Sequence, residues 1–304
     1  MWTMLYKPRT ESIDLLILKS LAARMSLSPK DEQLYFALKK GYEGERSFDS
    51  WTEKLQCECL ILNDLLLKQN NTFFQIDSLI IMSDTIYLFE VKNYEGDYYY
   101  ELDKLYKLPT SEINNPLIQL NRSESMLRQF LQTIGFNLPI KANIVFINPE
   151  FTLYQTPLNK PFILPTQINR HMKKLNLNSS NVNKKQRELA DKIISLHIGD
   201  SPFKLFPTYK YEQLQKGITC GNCTSISVSI NGKICTCQEC RYEESIETAV
   251  LRNVKEFKLL FPNKRITTNA IQDWCKLINS KKKIRRILGK NFKMAGVHRW
   301  TYYE

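Results

Sequence analysis

Residues 73–92, FFQIDSLIIMSDTIYLFEVK, contain the clearest strand signal in this chain. They contain two runs rich in β-branched and aromatic residues, 73–82 and 86–92, separated by a short polar break. This composition is typical of two strands joined in a β-hairpin. The hairpin is the part of the sequence from which the remaining assignments follow.

The length of the hairpin turn decides which side chains share a face. A two-residue turn at Ser83 and Asp84 makes Met82 face Thr85, and the same register continues along both strands. Because side chains alternate along a strand, four polar residues then lie on one face, with Asp77 opposite Glu90 and Gln75 opposite Lys92. A three-residue loop would instead turn Asp77 to the other face.

Two opposed carboxylates and a nearby lysine permit two interpretations. Like charges directly opposite each other are destabilising, and a divalent cation between them removes the repulsion, since Mg²⁺ takes oxygen ligands. Such a site suits metal-assisted hydrolysis of a phosphodiester, with the lysine stabilising negative charge. The alternative is a salt-bridged cluster in which Lys92 compensates both acids.

The residues around the hairpin resemble the nuclease-related domain (NERD), a branch of the PD-(D/E)xK nuclease superfamily. The matching segments, in order, are GYEGERSFD at 41–49, FQID at 74–77, EVKNYEG at 90–96 and NPLIQ at 115–119. The opening residues 7–25 and the cysteine-rich tail also look like longer NERD-containing proteins of Bacillus-type bacteria. The resemblance therefore extends over essentially the whole chain.

The resemblance implies a divalent-metal-dependent nuclease whose cation is Mg²⁺ or Mn²⁺. It assigns the cation ligands to Asp77 and Glu90, and the catalytic lysine to Lys92. It further implies catalytic roles for Glu45, on the preceding helix, and for Gln75, and a supporting contact for Gln119.

Composition favours a globular, cytoplasmic protein. The chain has 304 residues, 43% of them hydrophobic, and it lacks a run of about 20 apolar residues that could span a bilayer. The N-terminal apolar run at 15–18 is too short and too closely flanked by charge for a signal peptide. Four of the eight cysteines show no pairing pattern, which favours reduced thiols.

Two C-x-x-C pairs predict a structural zinc site. Cys220 and Cys223 are separated from Cys237 and Cys240 by a segment with alternating residues and an Asn231-Gly232 pair. A type I′ turn at Asn-Gly brings the pairs together as in a zinc ribbon, and four thiolates leave no open position for catalysis. A redox dithiol is the alternative.

The net charge of +12 is concentrated at the end of the chain. Residues 246–304 contain fourteen Lys and Arg against four Asp and Glu, a net charge of +10. This asymmetry favours a nucleic acid partner, with a solvated basic surface as the alternative. The predicted basic helix in this region supplies the candidate nucleic-acid contacts Lys281, Lys282, Lys283, Arg285, Arg286 and Lys290. A helix-turn-helix or an ordinary three-helix module fits the pattern.

The predicted fold is α/β, with a PD-(D/E)xK-like nuclease core, a small zinc ribbon and a helical, winged-helix-like tail. The predicted divisions are an N-terminal helical segment packing on the core (1–40), the core (41–150), a linker and helix (151–215), the ribbon (216–245) and the basic module (246–304). The predicted function is hydrolysis of phosphodiester bonds, with DNA as partner and no membrane. A non-catalytic nucleic-acid-binding or regulatory protein and an interaction scaffold are the alternatives, and the sequence does not indicate an oligomeric state.

Overall fold

A computed structural model describes residues 3–178, 181–199, 202–278, 280–297 and 300–304. In chain order its elements are β1 (Thr3–Lys7), α1 (Ile13–Arg24), α2 (Pro29–Thr52), β2 (Cys59–Gln69), β3 (Thr72–Ile81), β4 (Ile86–Lys92), β5 (Gly96–Glu101), β6 (Lys104–Lys107), β7 (Ser111–Ile113), α3 (Pro116–Thr133), β8 (Ile140–Phe146), β9 (Phe151–Tyr154), β10 (Phe162–Ile163), α4 (Ile168–Asn176), α5 (Lys184–Ser195), β11 (Val228–Asn231), β12 (Ile234–Cys237), β13 (Glu243–Ser245), α6 (Ile246–Leu260), α7 (Thr268–Cys275), α8 (Lys281–Asn291), β14 (Met294–Ala295) and β15 (Tyr302–Tyr303). Short 3₁₀ helices lie at Pro165–Gln167 and Tyr211–Gln213. None of the helices within these ranges has the length and apolar character needed to cross a membrane.

The chain divides into two compact units, one made of residues 3–12 and 37–203 and the other of residues 13–36 and 204–304. The first unit is built on a six-stranded sheet of order β1-β2-β3-β4-β8-β10. The β2–β3 and β3–β4 pairs are antiparallel, and the other neighbours are parallel. The predicted mixed α/β architecture is therefore confirmed for this unit.

Helices cover both faces of the central sheet. Apolar residues of α3 and α5 pack on one face, and residues of α2 and α4 pack on the other. Strands buried on both sides need apolar residues at successive positions, and β4 is buried from Ile86 to Val91. This double burial explains the nearly continuous apolar run of the hairpin.

The region expected to be a linker, residues 151–215, contributes regular structure to the first unit. β9 pairs with β5 in a second sheet of order β7-β6-β5-β9, and β10 pairs with β8 at the end of the central sheet. These strands have four and two residues and are separated by prolines. Such short segments give too little alternation to indicate a strand, so the predicted boundary at residue 150 differs from the structure.

The N-terminal segment also departs from the sequence prediction, which makes residues 1–40 helical and packs them on the nuclease-like core. β1 is a strand that pairs in parallel with β2. Ile17 and Leu21 of α1 lie in the apolar cluster of the second unit, together with Val250 of α6. Helical periodicity shows that α1 has an apolar face, but it does not identify the surface that this face covers.

The second unit contains α6, α7 and α8 and a three-stranded sheet of order β11-β12-β13. Each of the three helices has a side-chain cap, and the capping residues are Ser245, Thr267 and Ser280. After α8, the two-residue strands β14 and β15 pair with each other. His298 and Arg299, between them, lie outside the described residues.

Candidate active site and candidate metal centre

The β3–β4 hairpin has the predicted register near its turn. Met82 donates its backbone N–H to the carbonyl of Thr85 at 3.0 Å. The paired residues continue from Ile81 with Ile86 to Ser78 with Phe89. The loop is therefore the two-residue loop that the sequence predicts.

The ladder ends where the candidate acids begin. The Asp77 carboxylate, through Oδ2, accepts the backbone N–H of Val91 at 2.8 Å. A side chain thus takes the hydrogen bond that a backbone carbonyl would take in a regular ladder. This contact holds Asp77 beside the residue that follows Glu90.

Gln75 does not lie opposite Lys92. The β3–β4 pairing ends at Ser78 and Phe89, so Gln75 pairs only with Leu66 of β2 and Lys92 only with Phe146 of β8. The alternation of side chains along β3 also shifts by one position around Asp77. Even-numbered Phe74 and Ile76 lie in the same apolar cluster as odd-numbered Leu79 and Ile81. The predicted common face for all four polar residues is therefore wrong for Gln75, which is exposed.

Asp64 of β2 lies at the same point of the sheet as this shift. It lies across from Asp77, where the β2–β3 pairing is interrupted, and its φ of 53° is in the left-handed region that Asp and Asn adopt more readily than most residues. Gln75 donates to Asp64 Oδ1 at 3.3 Å. Asp64 is not among the predicted site residues, although Asn63-Asp64 is a polar pair inside an apolar strand.

Lys92 lies between the second acid and α3. Its Nζ donates to Glu90 Oε1 at 2.7 Å and to Gln119 Oε1 at 3.1 Å. Asn115 caps α3 by accepting from the N–H of Leu117, and Pro116 occupies the first turn, so the helix start that carries Gln119 is well defined. The structure therefore brings together Lys92, Glu90 and Gln119.

Burial and mutual repulsion raise the pKa values of the acids. Glu90 is 2% exposed and Asp77 is 6% exposed. Burial, followed by the negative charge of Asp77, raises the pKa of Glu90 to about 7. Burial likewise raises the pKa of Asp77. Burial alone would lower the pKa of Lys92, but the carboxylates of Glu90 and Asp77 raise it overall.

Glu45 reaches this cluster from α2 because a glycine precedes it. A Cβ on Gly44 would lie 2.5 Å from the Cβ of Asn93, the residue after Lys92, so only glycine allows this approach. Burial and then the charge of Asp77 raise the pKa of Glu45 to about 8. The structure thus places Glu45 near Asp77.

Arg9 is a component of the site that the sequence analysis did not identify. Its guanidinium donates to Glu45 Oε2 at 2.5 Å, to the two carboxylate oxygens of Asp49 at 3.0 and 3.1 Å, and to the carbonyl of Asp77 at 2.7 Å. The Arg9 side chain is 1% exposed. A single arginine near the N-terminus carries no spacing signal, so only the tertiary structure shows its position.

We expect the cation-free protein to lose stability as the pH rises from about 5 to about 8. With pKa values of about 7 for Glu90 and about 8 for Glu45, against 4.5 for an ordinary glutamate, the folded state binds more protons than the unfolded chain in this window. Stability falls with pH wherever the folded state binds more protons, by about 1.4 kcal/mol for each pKa unit. Calorimetry across this window measures the effect, and Glu90→Gln should reduce it. A melting temperature that rises over this window would contradict the expectation.

We expect Gly44→Ala and Gly41→Ala to have opposite effects on stability, although both positions lie in α2. The new methyl at Gly44 must displace Asn93, and overpacking of this kind costs about 1–3 kcal/mol. A Cβ at Gly41 meets nothing within 4 Å, so alanine should stabilise the helix by about 0.5–1 kcal/mol. Chemical denaturation of both variants provides the measurement, and equal effects would show that Asn93 moves aside easily.

The two C-x-x-C pairs converge on one point in the second unit. The sulfur atoms of Cys220, Cys223, Cys237 and Cys240 all lie within 4.8 Å of one another. The Cys220–Cys240 and Cys223–Cys237 sulfur distances are both 3.6 Å. Four sulfurs at the Zn–S bond length in a tetrahedron are about 3.8 Å apart. The cluster could therefore hold zinc.

Each cysteine pair is shaped by the same backbone turn. The N–H of Thr224 donates to the carbonyl of Cys220, and the N–H of Arg241 donates to the carbonyl of Cys237. Thr224 and Arg241 both have a φ of 62°. These matching turns point the sulfurs of each pair toward the other pair. Cys235 lies two residues before Cys237 on β12, and it is buried in the apolar core of this unit.

The hairpin between the pairs turns one residue later than the sequence predicts. Asn231 pairs with Ile234, so the two central turn residues are Gly232 and Lys233 and not Asn231 and Gly232. Gly232 has a φ of 60°, which glycine adopts without steric cost. Gly232 is therefore the first of the two central turn residues, whereas the sequence predicts it as the second.

The predicted basic helix presents some of its cations to solvent. Lys281, Lys282, Arg285 and Arg286 are exposed, whereas Ile284, Ile287 and Leu288 face the core. Two further members of the set have protein partners: Lys283 donates to the carbonyl of Gly232 at 3.3 Å, and Lys290 pairs with Glu247 at 2.8 Å. The exposed face of α8 is therefore basic.

The first unit thus presents buried acids and a lysine at the end of two central strands, an arrangement suited to binding a divalent cation. Residues 40–147 match the family model of the nuclease-related domain, NERD. The match covers roughly a third of the chain and includes every predicted residue of the acidic site. It supports a nuclease-related function for this region. The comparisons with curated proteins and with solved structures gave no match.

Proposed function

We propose that the protein is a divalent-metal-dependent nuclease that hydrolyses phosphodiester bonds in DNA. The observation that carries this proposal is the juxtaposition of Asp77, Glu90 and Lys92 within a region that matches a nuclease-related family. The PD-(D/E)xK assignment and an origin in Bacillus-type bacteria belong to the same proposal. The unpaired state of all eight cysteines fits a reducing cytoplasm.

The acidic residues fit a hard cation such as Mg²⁺ or Mn²⁺. They offer oxygen ligands, and their raised pKa values show that the folded protein does not fully compensate their charge. In the described part of the chain, no three carboxylates have ligand oxygens mutually within 4.8 Å. A cation here would therefore be held mainly by Asp77 and Glu90, in keeping with the one or two carboxylates that Mg²⁺ usually takes.

The residues of this chain then have distinct roles. Asp77 and Glu90 hold the cation, which when bound lowers the pKa of a water molecule and neutralises phosphate charge. Lys92, held by Glu90 and Gln119, directs its ammonium to a phosphate oxygen and stabilises developing negative charge. Glu45 adds negative charge beside Asp77, and Gln75 acts indirectly by holding Asp64.

Cleavage assays test the proposed function directly. The zinc-loaded protein is incubated with Mg²⁺ or Mn²⁺ on linear, circular and single-stranded DNA, with RNA in parallel and Asp77→Asn as the site variant. Cleavage that requires the cation and is lost in Asp77→Asn supports the proposal. Binding without cleavage under all these conditions would favour the alternative, a nucleic-acid-binding or regulatory protein that keeps the nuclease fold.

The cysteine cluster and α8 complete the proposal. We assign a structural zinc ion to Cys220, Cys223, Cys237 and Cys240 in a zinc-ribbon arrangement, and a winged-helix-like, DNA-binding role to the helices and the β14–β15 pair that follow. The basic, solvent-facing side of α8 supports this assignment. In this arrangement the second unit binds phosphates and the first unit cuts.

We expect replacement of Lys281, Lys282, Arg285 and Arg286 by serine to weaken DNA binding and flatten its salt dependence. Each lost phosphate contact reduces the slope of log K against log salt by about 0.9. Anisotropy titrations at several salt concentrations measure the slope. The matched control changes four exposed lysines of the first unit, Lys173, Lys174, Lys184 and Lys185. If both variants keep the wild-type slope, the basic face of α8 is only a solvated surface.

A further inference from the structure

The charges around the acidic site are already partly balanced by a buried arginine. Four carboxylates form this cluster: those of Glu45, Asp49, Asp77 and Glu90. Arg9 donates to two of these carboxylates and to the backbone of a third residue. An arginine remains charged at any ordinary pH, and a buried charge is stable only when it is paired.

We propose that Arg9 takes the place of a second divalent cation, so that the site binds one divalent cation and not two. The proposal rests on the proposed function only in assuming that a cation binds at Asp77 and Glu90. It adds that Arg9 occupies the place in which a second cation would neutralise Glu45 and Asp49. Arg9 lies outside the region that matches the nuclease-related domain.

The charge count favours a single ion. When all four carboxylates are ionised, as in a cation-loaded site, they carry four negative charges, and Arg9 and Lys92 carry two positive charges. This leaves two negative charges for one divalent cation. Asp64 and Lys7, the next charges outward, interact with each other and offset one another. A second divalent cation would leave two uncompensated positive charges beside Arg9 and Asp49, whose side chains are 1% and 8% exposed.

The hydrogen bonds of Arg9 point to the same conclusion. A two-metal site places its ions about 3.5–4 Å apart and needs shared carboxylate ligands. Glu45 Oε2 and both oxygens of Asp49 accept from Arg9. The planar guanidinium matches the carboxylate of Asp49 with two parallel hydrogen bonds. Three of the four carboxylate oxygens of Glu45 and Asp49 are thus engaged by a permanent cation.

The experiment is a calorimetric titration of the zinc-loaded, full-length protein with Mn²⁺. Wild type should bind one Mn²⁺ that Asp77→Asn no longer binds, and Arg9→Gln should bind two. The double variant Arg9→Gln/Asp49→Asn restores the charge balance with neutral amides and should return to one. Arg9→Lys, which keeps the charge, should also bind one.

The outcomes separate this inference from the proposed function. Two ions bound by wild type at the acidic site would overturn the inference and leave the nuclease proposal standing. A single ion in a folded Arg9→Gln variant would also overturn it. No ion bound by wild type would overturn both. Because the wild-type stoichiometry alone can contradict the inference, the test does not depend on the folding of the Arg9→Gln variant.

Discussion

Replacement of Glu90 by glutamine is expected to reduce metal-dependent DNA cleavage by at least about 100-fold. Glutamine keeps the size of the side chain but removes a charged cation ligand and the ion pair that holds Lys92 at 2.7 Å. Glu90 is 2% exposed and therefore cannot be a phosphate contact. DNA affinity measured without Mg²⁺ should stay within a few fold of wild type.

Glu95→Gln is the matched control for this variant. Glu95 lies just beyond the same strand, and its carboxylate is exposed and pairs with Lys40 at 2.6 Å. Single-turnover cleavage rates and anisotropy titrations of both variants give the comparison. Wild-type cleavage by Glu90→Gln would show that any catalysis by this protein occurs elsewhere, and loss of cleavage in both variants would show that the effect is not specific to the acidic site.

Loss of a single zinc ligand is expected to have the second large effect. Cys223→Ser should lower the zinc content from one ion per chain to none and unfold the segment between residues 219 and 242. Structural zinc contributes about 10–16 kcal/mol of apparent binding free energy to small domains of this kind. The N–H of Tyr242 lowers the pKa of Cys240 to about 6, which favours the thiolate form that binds metal.

Cys235→Ala is the control for the zinc experiment, because Cys235 lies two residues before a proposed ligand yet packs in the apolar core. This variant should keep one zinc ion per chain. Elemental analysis gives the zinc content, and hydrogen exchange reports which segment unfolds. Full zinc occupancy in Cys223→Ser, or exchange protection of the segment without metal, would contradict the assignment of a structural ion.

Local sequence signals were sufficient to predict the elements whose pattern lies within one short segment of the chain. The hairpin, its two-residue loop and the helix that begins at Asn115-Pro116 follow from residue type and spacing within a few positions. The cysteine cluster could also be predicted from the sequence, because a short hairpin between two C-x-x-C pairs brings the pairs close together. Short-range geometry limits these segments to few conformations.

From the sequence, alternation and a tight turn predict that Asp77, Glu90 and Lys92 lie at the same end of two neighbouring strands. The surroundings of these residues depend on tertiary contacts. The β3–β4 pairing ends at Ser78, so Gln75 does not pair with Lys92. Arg9 enters the site through pairing of β1 with β2, an interaction between strands more than fifty residues apart. Contacts of this kind depend on how distant segments pack, and the periodicity within a segment does not identify the segment that it contacts.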